Sequence, residues 1–217
     1  MGKSIKEIGV AVGVPAIASI GMYIAFQIFS DILSTKIALL PLLNLAVDGG
    51  TIIYPLTFTV RDFVHKTIGK KGARQVVILA GILNVIMVGL FWIIGKLPAD
   101  MSWGFQDSYE AILMPVARIT LASIIAEIFS ELIDTEIFSI ISKKFGEKKD
   151  VLAVLCSNGV ALLVDSLIFG FIAFYGTLPL DVVWQIILAN ILIKGAMSLL
   201  SAPIIKLIPR RVNISEM

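Results

Sequence analysis

Cysteine and histidine are almost missing from this 217-residue chain, each occurring once, as Cys156 and His65. A single cysteine cannot close an internal disulfide. A single histidine leaves no histidine inside an apolar segment to activate a cysteine or serine. Neither G-x-S-x-G nor H-E-x-x-H occurs. No nucleotide-binding motif is present, so dependence on ATP would require a separate subunit. Low-complexity tracts and evident internal repeats are also missing, and every polar stretch is too short to make a soluble domain.

What fills the chain instead is apolar. Hydrophobic residues make up 58%, against ~45–50% in a soluble domain, and the mean hydropathy is +0.95. Such a composition predicts a polytopic membrane protein, a single domain over residues 1–217. A spanning helix needs about 20 apolar residues. Six segments qualify or come close: Ile8–Ser30, Thr51–His65, Gln75–Gly95, Ile112–Ile141, Val151–Tyr175 and Leu180–Ile208. The first follows a basic start but is longer than the ~7–15 residue core of a signal peptide. It reads as a retained first helix.

Basic residues crowd into every second gap. Lys3 and Lys6 come first, then Lys66, Lys70, Lys71 and Arg74, then Lys143, Lys144, Lys148 and Lys149, then Lys206, Arg210 and Arg211. The alternate gaps hold only Lys36 and Lys96. The positive-inside bias therefore predicts an all-α protein with six transmembrane helices and both termini in the cytoplasm. The basic clusters are split among termini and loops, which argues against nucleic acid as a partner. The lipid bilayer is the expected surrounding, in the cytoplasmic membrane.

Two stretches interrupt the pattern. Lys36–Gly50 is too apolar for an ordinary loop and too short, with Pro41 inside it, to span. It reads either as a re-entrant or capping hairpin over an outward-facing cavity, or as helix 1 continuing to about Leu40. Lys96–Glu110 carries Trp103, Phe105 and Tyr109, the pattern of an interfacial aromatic belt, with a substrate lid as the alternative.

Charged side chains in a bilayer core cost about 2.5–3.5 kcal/mol each on insertion scales, and they face a cavity or a partner. Helix 4 carries Thr120, Glu127 and Asp134 seven apart, with Ser123 and Ser130 between them and Glu131 one turn after Glu127. Helix 5 carries Asp165 with Asn158 on the same face, and helix 6 carries Asn190 and Lys194 one turn apart. At 1.5 Å per residue, Glu127, Asp165 and Lys194 fall ~15–22 Å below one membrane face. Helix 2 adds Arg61 and Asp62, and helix 4 adds Arg118. A single Lys194–Asp165 pair would serve helix packing alone, but several acids at similar depth point to a substrate or proton site. Asp134 and Glu136 near the inner interface read more simply as a solvated helix end. Gly9, Gly13, Gly21 and Ala25 of helix 1 permit close backbone approach, for internal packing or for contact with a second copy in a homo-oligomer.

Several stretches resemble a known family. They are YPLTFTVRD at 54–62 followed by GKKGAR at 69–74, RITLASIIAE at 118–127 with Asp134, VDSLIF at 164–169 with AFYG at 173–176, and Lys194 with Pro203. Together they resemble the vitamin-uptake transporters of bacterial and archaeal membranes, whose best-described members are queuosine-precursor transporters. The resemblance runs from about Asp31 to Pro203. It implies uptake of 7-deazaguanine bases for tRNA modification, and a fold related to the substrate-binding subunits of energy-coupling-factor importers. By it, Tyr54, Thr57, Asp62, Arg118, Ser123, Asp134, Asp165 and Lys194 fall on family positions. Two departures bear on which heterocycle is carried: His65-Lys66 replaces an acidic pair, and Asp31 stands where Asn is common.

The expected ligand is thus a small planar heterocycle. A guanine-like edge offers two parallel donors that one carboxylate accepts in a fork. The substrate-binding candidates are Tyr54, Thr57, Phe58, Arg118, Glu127, Asp165, Asn190 and Lys194, with Phe169 as a further aromatic face. Arg61, Asp62, Glu131 and Asp134 are candidates for coupling or gating. No catalytic residue, metal or cofactor is expected. One alternative is a substrate-capturing subunit of an ATP-driven vitamin importer. Another is an intramembrane enzyme, a carboxylate protease using Glu127 with Asp165, and a third is a proton channel.

Overall fold

The computed structural model describes residues 14–41, 43–145 and 150–206. Its elements are helix α1 (Val14–Leu33), strands β1 (Ile37–Leu40) and β2 (Leu45–Asp48), then helices α2 (Gly50–Gly95), α3 (Gln106–Leu113), α4 (Val116–Phe145), α5 (Asp150–Phe174) and α6 (Leu180–Lys206). Among the described residues, five stretches are long and apolar enough to cross a membrane: Ala16–Leu33, Lys71–Gly95, Gln106–Ile141, Cys156–Phe174 and Leu180–Met197. Their outward faces are apolar, as with Ile78, Ile82, Ile86, Leu90 and Ile93 along α2. This is the surface that lipid, rather than water, would cover. The protein is an all-α, multi-pass membrane protein.

The expected loop between residues 65 and 75 shrinks to one residue. Helix α2 is interrupted only at Gly69, with φ 78° and ψ 174°. That backbone region is open essentially to glycine alone. Val60 and Val64 before the break share a buried cluster with Ala73, Val76 and Ala80 after it, and with Tyr23 of α1. The two arms, residues 50–68 and 70–95, therefore pack together against α1. Residues 50–68 carry Arg61, Asp62, His65 and Lys66, and for that reason do not count among the five apolar stretches.

Lys36–Gly50 forms the hairpin and not the helical extension. Ile37 pairs with Asp48 and Leu40 with Leu45 in an antiparallel ladder. The turn contains Pro41 and ends on Asn44 at φ 54°, a left-handed conformation that asparagine tolerates. Helix α1 runs on through Asp31 to Leu33, three residues past its expected end. Val47 is buried, and the Ala46 amide donates to Gln185 Oε1 of α6 at 3.0 Å. The hairpin so closes one end of the bundle. At the same end Trp103 meets Phe105 and Tyr109 edge-on, each at 6.3 Å between ring centroids.

A second apolar cluster joins Ala46 of β2 with Ile119, Ala122 and Ala126 of α4, Phe169, Ala173 and Phe174 of α5, and Val183, Ile186 and Ile187 of α6. The alanines let helix backbones approach closely. Phe169 and Phe174 meet edge-on at 5.7 Å. The described residues thus form two apolar centres, one on α1 and α2 and one on α4, α5 and α6. The expected helix starts at residues 8–13 and the expected end at 207–208 lie outside the described residues.

Candidate functional site

Between the two apolar centres runs a polar seam with a narrow cleft. Its walls include Asp48, Tyr54, Ser123, Asp165, Asn190 and Lys194. In this conformation it holds about as much space as one water needs.

Lys194 and Asp165 meet at its centre. Lys194 Nζ lies 2.5 Å from Asp165 Oδ2, with side-chain exposures of 5% and 10%. The ammonium also stands 4.6 Å from the centre of the Tyr54 ring and 5.7 Å from that of Phe169. A carboxylate and two aromatic faces therefore surround one cation, and the cation–π contacts add about 0.5–2 kcal/mol when desolvated. Asp165 is nine residues from the end of α5, hence ~14 Å down its axis.

Toward the hairpin lies a second knot. Asp48 is buried and accepts from Ser34 Oγ at 2.8 Å, the Thr51 amide at 3.1 Å and Asn190 Nδ2 at 3.0 Å. The Thr51 hydroxyl stands 2.5 Å from Asp48 Oδ2 and 2.9 Å from Asn190 Oδ1. It has one proton and donates to one of them at a time. Because Asp48 precedes the start of α2 and takes an amide of its first turn, the helix dipole also favours its negative charge. The knot ties the turn after α1 to β2, α2 and α6. Gly49 and Gly50 make it possible: a Cβ on Gly49 would lie 2.5 Å from the Leu33 carbonyl oxygen, and one on Gly50 2.5 Å from that of Ser30.

Behind the cleft wall is Asp31 of α1, 1% exposed. It accepts from Thr120 Oγ1 at 2.7 Å and Ser123 Oγ at 3.1 Å, both on α4. Among the described residues neither Asp31 nor Asp48 takes part in an ion pair.

Residues 48–208, which hold every lining residue of the cleft except Ser30 and Ser34, match the vitamin uptake transporter family. The chain belongs to that family. It is also similar to a Bacillus subtilis (strain 168) protein named "Probable queuosine precursor transporter", with 32% identity over 169 residues, 75% of this chain and 71% of that one. No solved structure matches it.

The sequence candidates of this transporter divide three ways. Tyr54, Asp165, Asn190 and Lys194 come together as cleft walls, with Phe169 beside them. Glu127, Glu131 and Arg61 form a separate group away from the hairpin. Arg61 Nη1 lies 3.1 Å from Glu131 Oε1 and 3.9 Å from Glu127 Oε1, bridging α2 and α4. Glu127 is one turn past Ser123, so it borders the cleft without lining it. The remaining candidates stand apart. Thr57 donates to the Tyr54 carbonyl within its own helix. Arg118 donates from Nε to the Ile172 carbonyl and from Nη2 to the Tyr175 carbonyl, each at 2.5 Å. It thereby caps the end of α5, where backbone oxygens lack helical partners. Asp134 keeps Oδ1 buried with no hydrogen-bond partner among the described residues. The side chains of Phe58 and Asp62 lie outside the described residues.

Sequence reasoning missed Asp48, Thr51, Ser34 and the role of Asp31. The signal was present: each acid is flanked by apolar segments, where a carboxylate calls for an explanation. The apolar loop hid Asp48, and an early end assigned to helix 1 left Asp31 outside it.

Proposed function

We propose that this transporter carries a small planar heterocycle of the 7-deazaguanine type, a queuosine precursor, inward across the cytoplasmic membrane. The observation that carries this reading is the make-up of the cleft: the Asp165 carboxylate and the Asn190 amide on adjacent helices, with Tyr54 and Phe169 as flat walls. Asp165 accepts the two parallel donors of a guanine-like edge, Asn190 serves the neighbouring carbonyl, and the rings stack on the base. The similarity to the B. subtilis protein supports the same ligand class. Lys194 holds Asp165 until the ligand takes its place, and keeps the buried carboxylate paired meanwhile.

The basic gaps put the Gly69 turn and the α4–α5 connection in the cytoplasm and the hairpin outside. Residues 50–68 are then the sixth span. In this orientation the hairpin knot closes the outer mouth, and Arg61 with Glu127 and Glu131 closes the inner one. A bicyclic base needs far more than one water's space, so binding parts the helices.

The test is a thermal-shift screen of detergent-purified protein against 7-deazaguanine bases, guanine and unrelated vitamins. A ligand at 100 times its Kd adds about 2.7 kcal/mol, a rise of roughly 5–10 °C at this chain length. A response to vitamins and none to 7-deazaguanines would overturn the ligand assignment. Stable co-purification with an ATPase would favour a substrate-capturing subunit over a self-sufficient carrier.

A further inference from the structure

We infer that Asp31 is the site of a coupling proton, taken up and released once per transport cycle. The inference rests on the transport reading above and adds an energy source to it. Asp31 is nearly inaccessible, and its only partners among the described residues are the hydroxyls of Thr120 and Ser123. A buried carboxylate with no cation beside it is costly in any apolar interior and more so within a bilayer.

The charged groups around it are all engaged elsewhere. On α2, Arg61 is held by Glu127 and Glu131 of α4. On α6, Lys194 is held by Asp165 of α5. On β2, Asp48 is itself an acid, held by Ser34, Thr51 and Asn190. With no cation among the described residues to supply the balance, a proton does so. A metal ion fits poorly, because hard cations take about six or more oxygen ligands, whereas Asp31 has two hydroxyls pressed directly against its oxygens. Hydroxyls suit both protonation states. They donate to the carboxylate, or one accepts from the neutral acid and turns its own proton to a backbone carbonyl one turn back.

Ser123 lines the cleft while its hydroxyl touches Asp31. Asp31 is therefore one hydroxyl away from whatever fills the cleft. Water entering from outside delivers the proton, whose bond to a carboxylate oxygen neutralises Asp31. Opening inward exposes Ser123 to water on the Glu127 side, where that bond breaks and the proton leaves with the ligand.

The test uses full-length protein in liposomes with the membrane potential clamped at zero and an uncharged radiolabelled 7-deazaguanine base. Wild type should concentrate the base up to about tenfold per pH unit of inward proton gradient, and a trapped dye should report acidification on uptake. Asp31→Asn keeps the shape and an amide for the hydroxyls. It should exchange labelled for unlabelled base at near the wild-type rate, yet fail to concentrate it. Accumulation by Asp31→Asn equal to wild type overturns the proposal. So does wild-type accumulation without acidification, or driven by a sodium gradient alone; both are readable even if the variant misfolds. Binding and exchange of no 7-deazaguanine by wild type overturns the transport reading itself, and this proposal with it.

Discussion

Replacing Lys194 with methionine removes a buried cation while nearly conserving volume, and the structure sets the size of the effect. Asp165 pairs with Lys194 at 2.5 Å, and the exposures of the two side chains are 10% and 5%. No other cation forms an ion pair with Asp165 among the described residues. Stranding one member of such a pair costs about 3–5 kcal/mol, whereas replacing both is often neutral. Loss of the ammonium–ring contacts to Tyr54 and Phe169 adds about 0.5–2 kcal/mol. At roughly 2–4 °C per kcal/mol for a chain of this length, these losses together mean that Lys194→Met alone should lower the melting temperature in detergent by about 7–28 °C. Asp165→Asn alone should act similarly. The double variant should recover most of that loss, giving a coupling energy of at least about 3 kcal/mol. It should still not transport, because the carboxylate that receives the ligand is gone. Melting curves and uptake are measured on the same four proteins. Additive melting losses would refute the pairing, and restored uptake in the double variant would refute the role of Asp165 in binding.

Three further outcomes are expected. Gly69→Ala should destabilise by about 1–3 kcal/mol, because a Cβ strains the backbone at φ 78° and ψ 174°; a melting temperature unchanged from wild type would show that the turn relaxes. Arg118→Ala should lose about 1.5–3 kcal/mol of charged hydrogen bonding to the end of α5 yet leave the ligand Kd unchanged; a titration showing weakened binding would return Arg118 to the cleft. Cysteines placed at Asp107 and Lys148 should react with an impermeant maleimide from opposite sides of the membrane, and same-side labelling would discard the orientation.

Long apolar runs made the helices legible, since a stretch of twenty such residues has few other solutions. Depth arithmetic along those helices also brought Glu127, Asp165, Asn190 and Lys194 to one level; the structure gathers the last three as cleft walls and sets Glu127 beside Arg61 instead. Features built on short range were harder to read. A one-residue turn at Gly69 looks in sequence like a loop of several basic residues. The hairpin at 37–48 is four residues per strand, and those strands are apolar except for Asp48 at the very end, so alternation gave no signal. Arg118 has the composition of a ligand-binding group; only the position of the α5 carboxyl end shows what it holds. Asp48 and Asp31 depend on partners from distant segments, Asn190 and Thr120 among them, which no local pattern announces.

The absent side chains of Gly49 and Gly50 determine how this protein is able to move. With no room for a methyl group between the start of α2 and the last turn of α1, the two helices are locked as one body. The alanine-rich contacts among α4, α5 and α6 lock a second. The surfaces where these bodies meet are held by hydroxyls, carboxylates and amides, whose bonds water can replace one for one, whereas parting either body internally would expose close-packed apolar surface. The softest motion is therefore a rocking of one body against the other about the polar seam, opening the cleft first to one side of the membrane and then to the other.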